Sequence, residues 1–288
     1  MSETSQTAQQ EAGVEAPVLY EVRDGVAVVT LNRPAVSNAQ NDYLVYELDR
    51  AFHRAANDDA VVSILLCGAG KHFSAGHDLG TAGKFDGLDT IERKTLWYDS
   101  TDKPGAERLY AREQEIYLGL CRRWQEMPKP VVCAVQGACI AGGLMLAWVC
   151  DIIVASDDAF FQDNVVGFGI PGVEYFAHPY EMPTRIAREF LMLGDRMPAQ
   201  RAYEVGMVNR VVPREQLFDA AFEIARKLAT KPRFALALTK QALNIVEDLR
   251  GKRTANDTVY AMHHLTHAHN FAVHGTSIIR PDFLDKKK

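Results

Sequence analysis

Phe73-Ser74-Ala75-Gly76-His77-Asp78-Leu79 and Gly137-Ala138-Cys139-Ile140-Ala141-Gly142-Gly143 are two glycine-bearing turns, each placed just after a short apolar run that reads as a buried strand. The runs are Val61 to Cys67 and Val131 to Val135. Two strand-to-turn elbows of this kind can aim two backbone N–H groups at one point, as is needed to hold negative charge developing on a carbonyl oxygen. In the second turn, Gly142-Gly143 opens a helix, where unpaired N–H groups and the positive dipole end favour an anion. A side chain at position 142 would crowd a ligand that must approach the backbone. Either turn alone reads as glycine that lets helix and strand pack closely; the pair points to an anion-stabilising site.

Outward from these turns, the chain repeats strand, turn and helix, which points to βαβ crossovers and parallel strands. Val18 to Arg23 and Val26 to Leu31 alternate around Asp24-Gly25, a hairpin signal. Asn38 is the expected cap of a helix carrying Leu44, Val45, Leu48 and Phe52, which fades near Asn57-Asp58. Gly80 to Ala106 is charged and poorly periodic and reads as a mobile segment beside a pocket, with Phe85, Trp97 and Tyr98 available to shape it. Glu107 to Glu126 reads as a long helix stopped by Met127-Pro128-Lys129-Pro130. Leu144 to Val149 is a short buried helix, Asp151 to Ala155 a strand and Phe160 to Val166 extended. Helices are expected at Gln200 to Val205, Arg214 to Leu228, Pro232 to Leu249 and Ala255 to Val273. The expected division is a disordered polar tail at 1–16, an α/β core at 17–197 and a helical region at 198–288.

With 288 residues, 47% of them hydrophobic, and a formal net charge of −5, the chain can bury one large α/β core. The mild acidity argues against nucleic acid or an anionic membrane as partner, and no apolar run is long enough to span a bilayer. Cys67, Cys121, Cys133, Cys139 and Cys150 lack metal-ligand spacing and read as reduced core thiols of a cytoplasmic protein.

Several motifs fail on inspection. Gly70-Lys71 lacks the glycine five places earlier, where Leu65 stands, and has His72 in place of Ser or Thr, so it is not a phosphate loop. Gly68-Ala69-Gly70 is followed by Phe73 where a dinucleotide fingerprint needs its third glycine. Ser74 and Cys139 sit in no nucleophile-elbow pattern. His263 and His267 share a helix face, but no Glu or Asp completes a metal set in sequence, and His264 and His269 point elsewhere. The expectation is a surface or subunit-contact helix and no metal.

These residues resemble the crotonase, or enoyl-CoA hydratase/isomerase, superfamily. Beside the two turns, the matching pieces include Leu31-Asn32-Arg33-Pro34, Lys129 to Gly137, Cys150-Asp151-Ile152-Ile153, Gly169-Ile170-Pro171-Gly172, Pro198 to Asn209 and Lys231-Pro232. The resemblance implies an α/β fold of repeated ββα units forming a spiral core, with a C-terminal helical region that closes the pocket and builds a homotrimer or a dimer of trimers. It implies an acyl-CoA substrate, with coenzyme A entering as part of that substrate rather than as a separate cofactor. The N–H groups of His77 and Gly142 would form the oxyanion hole, Ala75, Asp78 and Leu79 would line the CoA channel, and Arg33 would approach the CoA. The His77 side chain is left with three readings: bystander to its own N–H, pocket wall, or acid/base.

The chain departs from the family where two glutamates are usual. Met145 stands at the first position and Asn164 at the second, and neither accepts a proton near neutral pH. A positioned acid or base typically contributes about 10²- to 10⁴-fold, so ordinary enoyl-CoA hydration is expected to be weak. Asp163 should face away from Asn164 by strand alternation. Glu174, two residues past Ile170-Pro171-Gly172, is the candidate replacement; its bland reading is an ion pair with Arg185 or Arg188. Isomerisation, C–C cleavage and thioester hydrolysis stand beside hydration, and the rival reading is a catalytically silent CoA-thioester binder.

Overall fold

The computed structural model describes residues 16–80 and 97–279. Of the expected tail, only Ala16 is among them, its carbonyl accepting from the Asn32 carboxamide at 3.0 Å. Val18–Arg23 (β1) and Val26–Leu31 (β2) pair antiparallel across Asp24-Gly25, whose φ values of 52° and 74° suit a two-residue hairpin. Helix α1 spans Asp42–Asn57, and its cap is Asn41, which accepts from the Leu44 N–H at 2.9 Å. The expectation that Asn38 caps it is corrected. A short 3₁₀ turn at Pro34–Val36 and left-handed backbone at Ser37 and Asn38 delay the helix. Asn38 instead ties two loops together, accepting from Arg33 N–H (2.8 Å) and donating to the carbonyls of Ala69 (3.0 Å) and His72 (2.9 Å).

Strand β3 is Ser63–Gly68. The expected long helix is present in three joined parts: α2 (Gly105–Glu113), a π-helical turn (Gln114–Gly119) and α3 (Leu120–Glu126). There follow β4 (Val131–Val135), β5 (Ala138–Ile140), α4 (Gly142–Trp148), β6 (Ile152–Ser156) and β7 (Phe160–Gln162). Beyond them lie α5 (His178–Glu181), α6 (Thr184–Leu193), β8 (Met197–Pro198), α7 (Ala199–Glu204) and β9 (Arg210–Val212). The chain closes with α8 (Leu217–Ala229), α9 (Arg233–Leu249) and α10 (Lys252–His274).

The main sheet runs β1-β2-β3-β4-β6-β9 and is parallel from β2 onward; β5, β7 and β8 form a smaller sheet. Period-two alternation sorts the strand residues onto two faces. Val26, Val28, Leu65, Cys67, Val132 and Ala134 meet Leu217, Ala221 and Ala225 of α8. On the other face, Val29, Leu66, Cys133 and Val135 join the larger core with Leu48, Phe52 and Trp124 from α1 and α3. This is the mixed α/β architecture with a helical C-terminal region that the sequence implies. The five cysteines are free, and all but Cys150 are buried.

Candidate active site

Hydrogen bonds bring the two glycine turns together. Ser74 and Cys139 form a parallel bridge, with Ser74 N–H donating to Ala138 (3.1 Å) and Ile140 N–H donating to Ser74 (3.0 Å). A Cβ on Gly76 would lie 2.6 Å from the Ile140 carbonyl and 3.1 Å from the Gly142 nitrogen, so only glycine permits this approach. Next to it, Gln40 N–H donates to Gly76 (2.8 Å) and Asp78 N–H donates to Gln40 (3.0 Å). That pattern turns the intervening His77 N–H to the opposite side. Neither the His77 nor the Gly142 N–H has a backbone acceptor among the described residues. A Cβ on Gly142 would meet the His77 ring at 2.5 Å from Cδ2 and 2.6 Å from Nε2. Ala141, before the helix, holds φ 48° and ψ −113°, a conformation that normally selects glycine.

The turns border a cavity of about 1050 Å³ whose walls include Ala75, His77, Asp78, Leu79, Asn164 and Glu174. Arg33 does not line it. Its guanidinium spans the loops by donating to Ala39 O (2.5 Å) and Asp78 Oδ2 (3.0 Å). Met145 is buried in the core on α4, and Asn164 faces the cavity. Asp163 is buried, with Oδ2 at 2.8 Å from His178 Nε2. Strand alternation is not the cause, because β7 ends at Gln162 and Asn164 leads into a 3₁₀ turn at Val165–Phe168. Tyr98 reaches the cavity wall, Trp97 is half exposed, and Phe85 lies outside the described residues.

Glu174 is buried, with Oε1 3.7 Å from His77 Nδ1 and 3.8 Å from His263 Nε2. The expected ion pair with Arg185 or Arg188 is corrected: the imidazoles of His77 and His263 are the basic side chains beside it among the described residues. Burial pushes the Glu174 carboxyl up to about 8; His263 opposes this and the nearby Glu113 charge adds to it. The His77 ring stacks on Tyr117, with centroids 3.8 Å apart and planes 11° from parallel. Burial drives the imidazole of His77 down to about 3, so at neutral pH the ring is an uncharged wall and not a charged acid.

One cluster corrects the surface part of the sequence expectation. His263, His264 and His267 are buried, not on an outer face, and Glu113 from α2 meets them across the helix contact. Its Oε2 lies 3.4 Å from His264 Nε2, so His264 joins the group, whereas His269 is exposed. The missing acid was in sight as a carboxylate on the same stripe as Ile116, Tyr117, Leu120 and Trp124, a place where an acidic residue is costly without partners.

A family model described as enoyl-CoA hydratase/isomerase matches residues 21–280. A Mycobacterium tuberculosis protein designated an enoyl-CoA hydratase, EchA13, is 39% identical over 264 residues, covering 88% of this chain and 81% of that protein. The 1,2-epoxyphenylacetyl-CoA isomerase of Escherichia coli is 34% identical, covering 80% of this chain and 82% of its own. Among solved structures, a protein from Mycobacterium smegmatis described as an enoyl-CoA hydratase superposes with a TM-score of 0.83 at 41% identity, over 93% of this chain and 100% of that one.

Proposed function

The chain belongs to the enoyl-CoA hydratase/isomerase family of acyl-CoA-processing enzymes, and from that premise we propose that it works through an enolate-like intermediate, with the N–H groups of His77 and Gly142 holding the thioester oxygen and Glu174 moving the proton. The observation that carries this reading is a buried carboxyl 3.7 Å from the side chain of a residue whose own N–H is free to donate, on the wall of one large cavity. Enolising a thioester places charge on its carbonyl oxygen, and one well-aimed donor is worth about 3–4 kcal/mol of barrier. Glu174 is uncharged at the lower end of the physiological range and ionised above about 8, so the same group serves as acid or base as pH changes.

Ala75, Asp78 and Leu79 would line the CoA channel, and Arg33 would act there by fixing Asp78 rather than by touching ligand. Met145 and Asn164 supply no proton carrier at the two usual positions, so water addition should be slow and a proton shift or bond cleavage favoured. The subunits would assemble as a homotrimer or a dimer of trimers in the cytoplasm; no helix among the described residues is long and apolar enough to cross a membrane.

The test is turnover of crotonyl-CoA and a longer enoyl-CoA, followed as loss of conjugated thioester absorbance, with binding measured on the same sample. Binding with slow hydration, and a drop of about 10²- to 10⁴-fold in whichever conversion is found for Glu174→Gln, supports the reading. Turnover unchanged in Glu174→Gln would remove Glu174, and binding with no conversion of any acyl-CoA would leave the silent binder that the loss of both usual glutamates also suits.

A further inference from the structure

Two histidines of α10 meet in a way that neutral rings cannot sustain alone. His263 Nδ1 lies 2.8 Å from the Gly172 carbonyl and His267 Nδ1 lies 2.7 Å from the Ser277 carbonyl. A carbonyl only accepts, so each Nδ1 carries a hydrogen, and in the neutral ring each Nε2 presents a lone pair. Yet those two Nε2 atoms are 2.9 Å apart. Glu113 Oε2 adds a third acceptor, at 3.7 Å from His263 Nε2 and 3.8 Å from His267 Nε2. It is buried and has no hydrogen-bond partner among the described residues. Three such acceptors facing one another away from water need positive charge between them, supplied either by a second proton on His263 or by a bound cation. His264 Nε2, 3.4 Å from the same Glu113 oxygen, stands at the edge of the group.

From this geometry we propose that Glu113, His263 and His267 form a binding site for a divalent transition-metal ion of the zinc class, open to the cavity on its remaining side. Edges of 2.9, 3.7 and 3.8 Å leave one point about 2.0 Å from all three atoms, which is the length of a zinc–nitrogen or zinc–oxygen bond. Two imidazoles and a carboxylate match the donor set of catalytic zinc, which keeps a further position for water or substrate. The carbonyls of Gly172 and Ser277 occupy the supporting place, fixing the tautomer and orientation of each ring. All three ligand residues line the same cavity as Glu174, so a bound ion would meet whatever fills it. The site departs from the sequence expectation of no metal because Glu113 reaches the histidines only through the packing of α10 on α2.

The test does not depend on acyl-CoA chemistry. Chelator-treated full-length protein is dialysed against zinc(II) and its metal content measured, then titrated with cobalt(II) while the visible d–d bands are followed. The expected result is one ion per chain and cobalt bands of a low-coordinate site with nitrogen and oxygen ligands, unchanged in the exposed-histidine control His269→Ala. His267→Ala and Glu113→Gln should each weaken cobalt binding at least about 10-fold, the lower end of what losing even a supporting group costs. Circular dichroism shows whether each variant is folded, and Glu113→Gln, which keeps the side-chain volume, covers the case in which His267→Ala is not. No uptake above the chelated control would overturn the proposal and leave a shared proton between the rings. Uptake unaffected in both folded variants would overturn it as well.

Discussion

At the scale of the residue, the sequence exposes the site where backbone groups are proposed to do the chemistry. Glycine leaves a visible mark, so positions 76, 142 and 143 could be picked out as an anion-stabilising pair of turns, and the family resemblance then implied the N–H groups of His77 and Gly142 as the donors. The contacts explain why position 142 tolerates nothing larger, since a Cβ there would lie 2.5 Å from the His77 ring. Gly142→Pro, which removes the donor, should lower kcat by about 10²- to 10³-fold. Steady-state kinetics on a confirmed substrate check this, and an unchanged kcat would dismiss the oxyanion hole. Glu174 was legible as a candidate because it follows a recognisable turn, but its neighbours were not: His77 and His263 are 97 and 89 positions away in sequence. Glu113 was not found, because its meaning depends on which helix faces it.

At the scale of the element, apolar runs and hairpin residues gave β1, β2, β3, β4 and β6 to within two residues. The segment expected to be extended from Phe160 to Val166 is strand only to Gln162, and the short β5, β8 and β9 carry too few residues to leave a pattern. The start of α1 was misplaced because Asn38 and Asn41 are equally good caps in sequence, and only the left-handed backbone at Ser37 and Asn38 separates them. The π-helical turn at Gln114–Gly119 has no sequence mark. It inserts itself directly after Glu113, at the cavity wall, where such turns commonly serve function. Ala141 is the element-scale oddity: its φ of 48° at the mouth of α4 stores strain that glycine would not. Ala141→Gly should therefore raise stability by about 1 kcal/mol, strain relief outweighing the added chain entropy. Denaturant unfolding checks the sign; a destabilised variant would show that Ala141 is unstrained.

At the scale of the whole molecule, the fold class was legible because strand-turn-helix repetition admits few topologies, whereas burial of charge and assembly were not. Exposed Leu243, Leu249 and Leu265 on α9 and α10 are the apolar surface that subunit contact would cover, and size-exclusion chromatography with light scattering should return a trimer or hexamer, not a monomer. Stability should also depend on acid. His77 is held near 3 in the folded chain, against 6.5 for a free imidazole, so below pH 6.5 the unfolded chain binds a proton that the folded one refuses. Its contribution is complete above pH 6.5 and is lost as pH falls toward 3, at up to about 1.4 kcal/mol per pH unit. With a fifth of the side chain open to the cavity, the measured slope should fall short of that limit. Urea unfolding at pH 7 and pH 5 should show a smaller loss for His77→Gln than for the natural chain, and equal losses would mean His77 is not held neutral.

The central claim is that this cavity enolises a thioester with Glu174 as the proton carrier. Exchange of the α-hydrogens of a saturated acyl-CoA for deuterium in heavy water, followed by NMR, tests it without knowledge of the true substrate. The account predicts enzyme-dependent exchange that falls by about 10²- to 10⁴-fold in Glu174→Gln while binding persists. Exchange that is absent in the natural chain with ligand bound, or undiminished in Glu174→Gln, would contradict it.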